Sequence, residues 1–169
     1  MNTLSKLLYT LAFLASFILG NAMASPIQDL QKVGSAKLEV FFFDIYYSEL
    51  FSEDGQYQPG TYPLALQIKY LRDIKAKDLI ERTDKEWKKL GYTDEQTNSW
   101  LHRLEEIWPD IKEDDMLTLR VEEGGTSVFY FNNDPIGEMD DDNFGKSFLA
   151  IWLDEDCSYP KLRKKLIGG

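Results

Sequence analysis

Apolar residues along this chain alternate, run together or recur at helical spacing, and those patterns predict most of its elements. From Leu38 to Tyr47, Phe41, Phe43, Ile45 and Tyr47 interleave with Val40, Phe42 and Tyr46. One strand over this span has apolar side chains on both faces, as expected of a central strand covered on both sides. Asp44 breaks the pattern, and a carboxylate there is expected to be paired with a base rather than left open to a cavity. Gly55, Pro59 and Gly60 punctuate the following loop, after which Leu64, Leu66, Ile68 and Tyr70 alternate in a second strand expected to pair with the first.

The period then changes to that of a helix. Leu79, Ile80, Thr83, Trp87 and Leu90 share one stripe from Ala76 to Leu90, and Gly91 stands at the stop position. Thr93 with Gln96 has the pattern of a capping box. It opens a helix whose Trp100, Leu101, Leu104, Ile107 and Trp108 lie on one face before Pro109 ends it. An aromatic stripe at this spacing predicts core. Strands follow from Met116 to Val121 and from Thr126 to Phe131, with Gly124 and Gly125 as a hairpin signal between them. Asn132 to Gly137 reads as a turn, Phe144 to Leu153 as a Phe/Trp-rich segment, and Pro160 to Gly168 as a closing helix.

The N-terminus does not belong to this pattern. Lys6 precedes an apolar run from Leu7 to Gly20 that ends at Ala22-Met23-Ala24, a small-residue cleavage pattern. Residues 1–24 are therefore expected to be an export signal and residues 25–169 a single domain, periplasmic once exported and without stable membrane insertion. A membrane span needs about 20 apolar residues.

Charge and rare residues narrow the chemistry. With 19 basic and 29 acidic residues, the chain carries a net charge of −10. That charge repels phosphate backbones and anionic membranes, so no nucleic-acid partner is expected. Lys161, Arg163, Lys164 and Lys165 form the one dense basic cluster in the sequence and read as a solvated helix end. The single cysteine, Cys157, cannot form an internal disulfide, and Asp154, Glu155 and Asp156 beside it disfavour a thiolate. A single histidine, His102, excludes any multi-histidine metal site and reads as a surface helix residue. The acidic run Glu138, Asp140, Asp141, Asp142 and Asn143 lacks the alternating ligands, central Gly and closing Glu of a calcium loop. Asp140 or Asp142 as a helix N-cap before Phe144 accounts for it, and neither a metal nor a cofactor is expected.

The order from Ser127 to Gly168, the Tyr70-Leu71-Arg72-Asp73-Ile74 run and the strand from Val40 to Tyr47 together resemble the chalcone isomerase-like family. The resemblance implies an α+β fold, helices packed on a curved antiparallel sheet, with a cleft. In that family's enzymes an Arg, a strand Thr, a helix Tyr–Asn pair and a C-terminal Thr or Ser shape the cleft. Matched onto this chain, the strand Thr falls at Phe42, the C-terminal hydroxyl at Lys165 and the Arg at Lys37. The Tyr–Asn pair has no counterpart between Ile80 and Lys89. Without those donors a ketone is not polarised, so no catalytic residue is assigned. Other members of the superfamily bind fatty acids in the equivalent cleft, which implies a small apolar or fatty-acid-like ligand here. Lys37 would meet its carboxylate, and Phe41, Phe42 and Tyr46 its tail. Arg72 and Asp73 are expected to form a structural pair. The competing readings are an isomerase or lyase of unknown substrate, and a ligand-free envelope protein that works by protein contact.

Overall fold

The computed structural model describes residues 24–169. The expected export signal over residues 1–24 lies, Ala24 apart, outside the described residues. Six strands form one antiparallel sheet in chain order: β1 (Gln31–Val40), β2 (Phe43–Ser52), β3 (Leu64–Tyr70), β4 (Met116–Val121), β5 (Ser127–Phe131) and β6 (Asp134–Met139). Helices α1 (Ala76–Lys89) and α2 (Asp94–Ile107) are inserted between β3 and β4, and α3 (Phe144–Leu153) and α4 (Pro160–Leu166) follow β6. The fold is α+β, as the sequence implies. No helix among the described residues is long and apolar enough to cross a membrane.

The expected single strand from Leu38 to Tyr47 is instead a hairpin. Val40 pairs with Phe43, and the two residues between them, Phe41 and Phe42, turn the chain with φ of 48° and 70°. Positive φ at both central positions is the requirement of a type I′ turn, normally met by Asn and Gly. Placing L-residues with a Cβ there costs roughly 1–2 kcal/mol each. The turn is invisible in the sequence because its residues continue the apolar run. A bulge then interrupts the register between Leu38↔Tyr46 and Glu39↔Asp44, leaving Ile45 as the extra residue. Ile45 and Tyr46 therefore both turn toward the helices, as an unbroken strand would not allow. On the opposite face Lys37 Nζ meets Asp44 at 2.9 Å and Glu39 at 2.5 Å, so Asp44 is ion-paired.

The segment from Asn132 to Gly137 is a turn only at its first two residues. Asn132 and Asn133 have φ of 50° and 74°, and the chain then returns as β6 along β5. Pro135 and Gly137 hide this strand from a propensity reading, yet an edge strand tolerates Pro. Gly137 is required by packing, since a Cβ there would lie 2.6 Å from Ile107 Cγ2. Neither Asp140 nor Asp142 caps α3. Its N-cap is Asn143, and Asp141 accepts hydrogen bonds from the Asn143 amide at 2.8 Å and from Trp100 Nε1 at 2.9 Å. The Asn143 amide is the main cause holding the Asp141 carboxyl below its usual range. Arg72 and Asp73 do not pair with each other: Asp73 binds Lys112 at 2.8 Å, and the Arg72 guanidinium lies 5.4 Å from the Phe43 ring centroid.

The two amphipathic helices bury the stripes read from the sequence. Ile80, Thr83 and Trp87 are buried on α1, and Thr97, Trp100 and Leu104 on α2. The capping box is present, with the Thr93 amide donating to Gln96 Oε1 at 2.9 Å. Helix α3 is buried nearly all round, as its Phe144, Phe148, Leu149, Ile151 and Leu153 demand. Its rings join Trp87, Trp100, Trp108 and Phe129 in a set of mostly edge-to-face contacts between 5.4 and 6.2 Å. Such pairs add about 0.5–1.5 kcal/mol each beyond burial. Arg163 Nε caps this helix, donating to the Leu153 carbonyl at 2.8 Å.

Two substitutions test these constraints by denaturant melts. A Cβ on Gly34 would lie 2.2 Å from the Lys165 carbonyl oxygen at the end of α4, so Gly34→Ala is expected to destabilise the fold by about 1–3 kcal/mol. The double change Phe41→Asn, Phe42→Gly supplies the residues the turn prefers and removes two rings that bury almost nothing, so it is expected to stabilise by about 1–2 kcal/mol. An unchanged or lowered midpoint for the double variant would contradict the turn geometry.

Candidate functional site

Between the sheet and the helices lies a cavity of about 280 Å³. That is close to the lower end of the roughly 300–1,000 Å³ usual for small-molecule sites. Leu66, Ile68, Leu117, Leu119 and Phe129 from β3, β4 and β5 form its floor, and Phe148, Ile151 and Trp152 of α3 one wall. Leu38, Val40, Ile45 and Tyr46 of the first hairpin and Ile74, Leu79 and Thr83 along α1 and its approach complete it. The strand alternation explains the floor, since every second residue of β3 and β4 faces the helices. The bulge at Ile45 brings in the additional hairpin side chain.

Polar groups gather at one side, where α1 and the α3–α4 connection meet the hairpin. Arg82 donates to the Tyr159 hydroxyl at 2.9 Å and stacks at 5.9 Å from its ring centroid. Arg82 also pairs with Glu86, a buried carboxylate that further accepts a hydrogen bond from the Ser158 hydroxyl and lies 3.5 Å from Lys89 Nζ. Burying a carboxylate requires such compensation. Asp78 stands at the exposed edge of the same rim. Deeper in, Trp152 Nε1 donates to the Tyr46 hydroxyl at 2.9 Å, and the Tyr46 and Tyr70 rings meet edge to face at 6.0 Å. Burial raises both phenols well above their ordinary value, so they stay neutral. The indole N–H of Trp108, on the cavity wall, is buried and has no partner among the described residues.

Of the residues singled out from the sequence, Tyr46 lines this cavity. Phe41 and Phe42 stand outside it at the hairpin tip, 87% and 105% exposed. Lys37 is tied to Glu39 and Asp44 and, with Lys165, borders a separate groove between β1 and α4. The two positions the resemblance matched to cleft hydroxyls, Phe42 and Lys165, therefore do not meet in the cavity. Arg82, Glu86, Tyr159 and Trp108 were missed. Arg82 and Glu86 read as the polar face of an amphipathic helix, Trp108 as one more core aromatic, and only the fold turns them to a common space. His102 lies on the surface of α2, 3.6 Å from Glu106, and Cys157 is buried with its thiol pushed up chiefly by desolvation. Among the described residues no group of three or more His, Cys, Asp or Glu is assembled to hold a metal.

Comparison with known proteins gives a consistent picture. The sequence profile of a family described as chalcone isomerase-like matches residues 15–168. An uncharacterized protein of Haemophilus influenzae is 33% identical over 147 residues, covering 86% of this chain and 71% of that protein. Among solved structures, a fatty-acid binding protein of Arabidopsis thaliana superposes with a TM-score of 0.62 at 12% identity, covering 83% of this chain and 88% of that one. At that identity the likeness is one of fold.

The buried phenols set a pH dependence. The unfolded chain releases their protons near pH 10, whereas the folded chain holds them, so above pH 10 the folded state binds more protons and stability falls as pH rises. Tyr46→Phe also leaves the Trp152 N–H without its acceptor and is expected to cost about 1–3 kcal/mol at neutral pH. With one buried phenol removed, the variant's alkaline stability loss should be shallower than that of the parent, read from thermal melts between pH 8 and 12.

Proposed function

The chain belongs to the chalcone isomerase-like family, and we propose that within it this protein binds a small apolar molecule of the fatty-acid type rather than turning over a substrate. The observation that carries the reading is the cavity itself, an apolar chamber with its charged groups confined to one rim. The tail lies along Leu66, Ile68, Leu117, Leu119 and Phe129. The head meets Arg82 and Tyr159, a cation and a hydroxyl already joined, and Arg82 retains guanidinium donors beyond those given to Tyr159 and Glu86. The fold shared with the Arabidopsis thaliana fatty-acid binding protein supports the same reading.

A non-catalytic role is supported by the placement of Phe42, Lys165 and Lys37 away from the cavity, since the resemblance would need these positions to polarise a substrate. The apolar run from Leu7 to Gly20 and the small residues at Ala22 and Ala24 support export to a periplasm. Sequencing the N-terminus of the mature protein checks this, with Ser25 as the expected first residue.

Two variants test the binding reading by calorimetry with a series of saturated fatty acids and the matching alcohols. Leu79→Trp, at the edge of the cavity on α1, fills the space and is expected to weaken binding of acids and alcohols alike by at least about tenfold, or 1.4 kcal/mol. Arg82→Gln removes a charged donor worth about 1.5–3 kcal/mol, so acids should weaken about 10- to 100-fold while alcohols change little. Absence of binding by the parent to every member of the series would end the reading.

A further inference from the structure

Every exposed large hydrophobic side chain among the described residues lies on the β1–β2 hairpin: Phe41 at 87%, Phe42 at 105%, Phe43 at 61% and Tyr47 at 49%. Exposed aromatic groups concentrated in this way mark a contact surface. Phe41 and Phe42 sit at positive φ in a turn that Asn and Gly would form with less strain, so fold stability does not account for them. From this tip we propose that the protein docks on a zwitterionic lipid bilayer by inserting Phe41, Phe42 and Phe43 into the interfacial layer, with the hairpin side of the cavity held beside the membrane.

The charges around the tip favour that occupant over an anionic surface. Val40 to Phe43 carries no charge, and the nearest charged groups balance: Lys37 against Glu39 and Asp44, with Arg72 lying over the Phe43 ring. The chain as a whole carries −10. The tip itself, Val40 to Phe43, has no basic residue, and Lys161 and Lys165 border the β1–α4 groove alongside Lys37 and Glu39, so attachment rests on apolar insertion and should be little affected by salt. Area argues against a protein partner. Three Phe side chains bury roughly 150–250 Å² each, which falls short of the about 800 Å² per side of a stable protein interface. A narrow tip suits a fluid layer that closes around it.

The tip is also continuous with the cavity. Val40, immediately before the turn, and Ile45, two residues after Phe43, both line it. Val40 and Phe43 are cross-strand partners, so Phe43 extends the cavity-facing side of the hairpin beyond the helices. An acyl molecule leaving the bilayer at the tip would meet an unbroken apolar wall. That passage rests on the ligand reading above, whereas the docking does not.

The test is flotation of the mature protein with phosphatidylcholine vesicles, and with vesicles containing phosphatidylglycerol, at low and high salt. The parent is expected to float with phosphatidylcholine equally at both salt concentrations and less well as phosphatidylglycerol is added. Phe41→Asn, Phe42→Gly, folded by circular dichroism and melting no lower than the parent, is expected to lose at least tenfold in vesicle partitioning. Leu79→Trp, which fills the cavity, should float like the parent, so failure of docking and failure of ligand binding are told apart. A parent that does not float, or a double variant that floats equally well, overturns the proposal. So does a parent that sediments as a dimer, fails to bind vesicles and becomes monomeric in the double variant, because the tip would then pair with a second copy.

Discussion

The arrangement of helices over the sheet depends on the burial of Trp87. Its ring is fully enclosed, and its indole N–H donates to the Ser147 carbonyl at 2.8 Å, joining the C-terminal half of α1 to the central helix α3. An indole N–H buried without an acceptor would be costly, so the bond sets the position of α1 as firmly as the packing does. Around Trp87 the space is filled by Trp100, Phe144 and Phe148. Toward the other end of α1 the inward residues Leu79, Ile80 and Thr83 are smaller, and Leu79 and Thr83 line the cavity. The same helix that is clamped tightly at one end therefore stands over open volume at the other, and that volume is the cavity.

The electrostatics follow from this geometry. Clamping α1 buries Glu86 one residue before Trp87, and the carboxylate is compensated by Arg82, Lys89 and Ser158. The group of charges at the rim is thus partly a consequence of anchoring the helix. It also gives an apolar chamber one polar end, the polarity a fatty acid has. The compensation differs from the surface pairs elsewhere, such as Lys32 with Glu49 or Lys112 with Asp73, whose partners are solvated and contribute little to stability.

At the first hairpin, local preference yields to another demand. Phe41 and Phe42 occupy a turn better suited to Asn and Gly, and their rings are left in solvent. The bulge three residues later, at Ile45, turns Ile45 and Tyr46 to the same side. One hairpin accordingly supplies a wall of the cavity and an aromatic tip beyond it. Both depart from regular strand pairing, and such departures gather where structure serves function.

Periodicity alone located α1 and α2, which bury one face each, and β3, β4 and β5, where larger apolar side chains alternate with smaller or more polar ones although both faces are largely covered. It could not locate the turn at Phe41 and Phe42, where apolar residues occupy positions usually given to Asn or Gly. Nor could it locate β6, whose Pro135 and Gly137 are tolerated at a sheet edge. The α+β class and the family were legible in the order of elements and in the aromatic residues that follow Ser127. The site was legible only at Tyr46. Arg82 and Glu86 stand one helical turn apart on α1, but Tyr159 lies 77 residues from Arg82, and no local spacing joins it to them. They meet because Trp87 fixes α1 against α3 and the chain after α3 returns beside it, a long-range packing choice that only the tertiary structure makes.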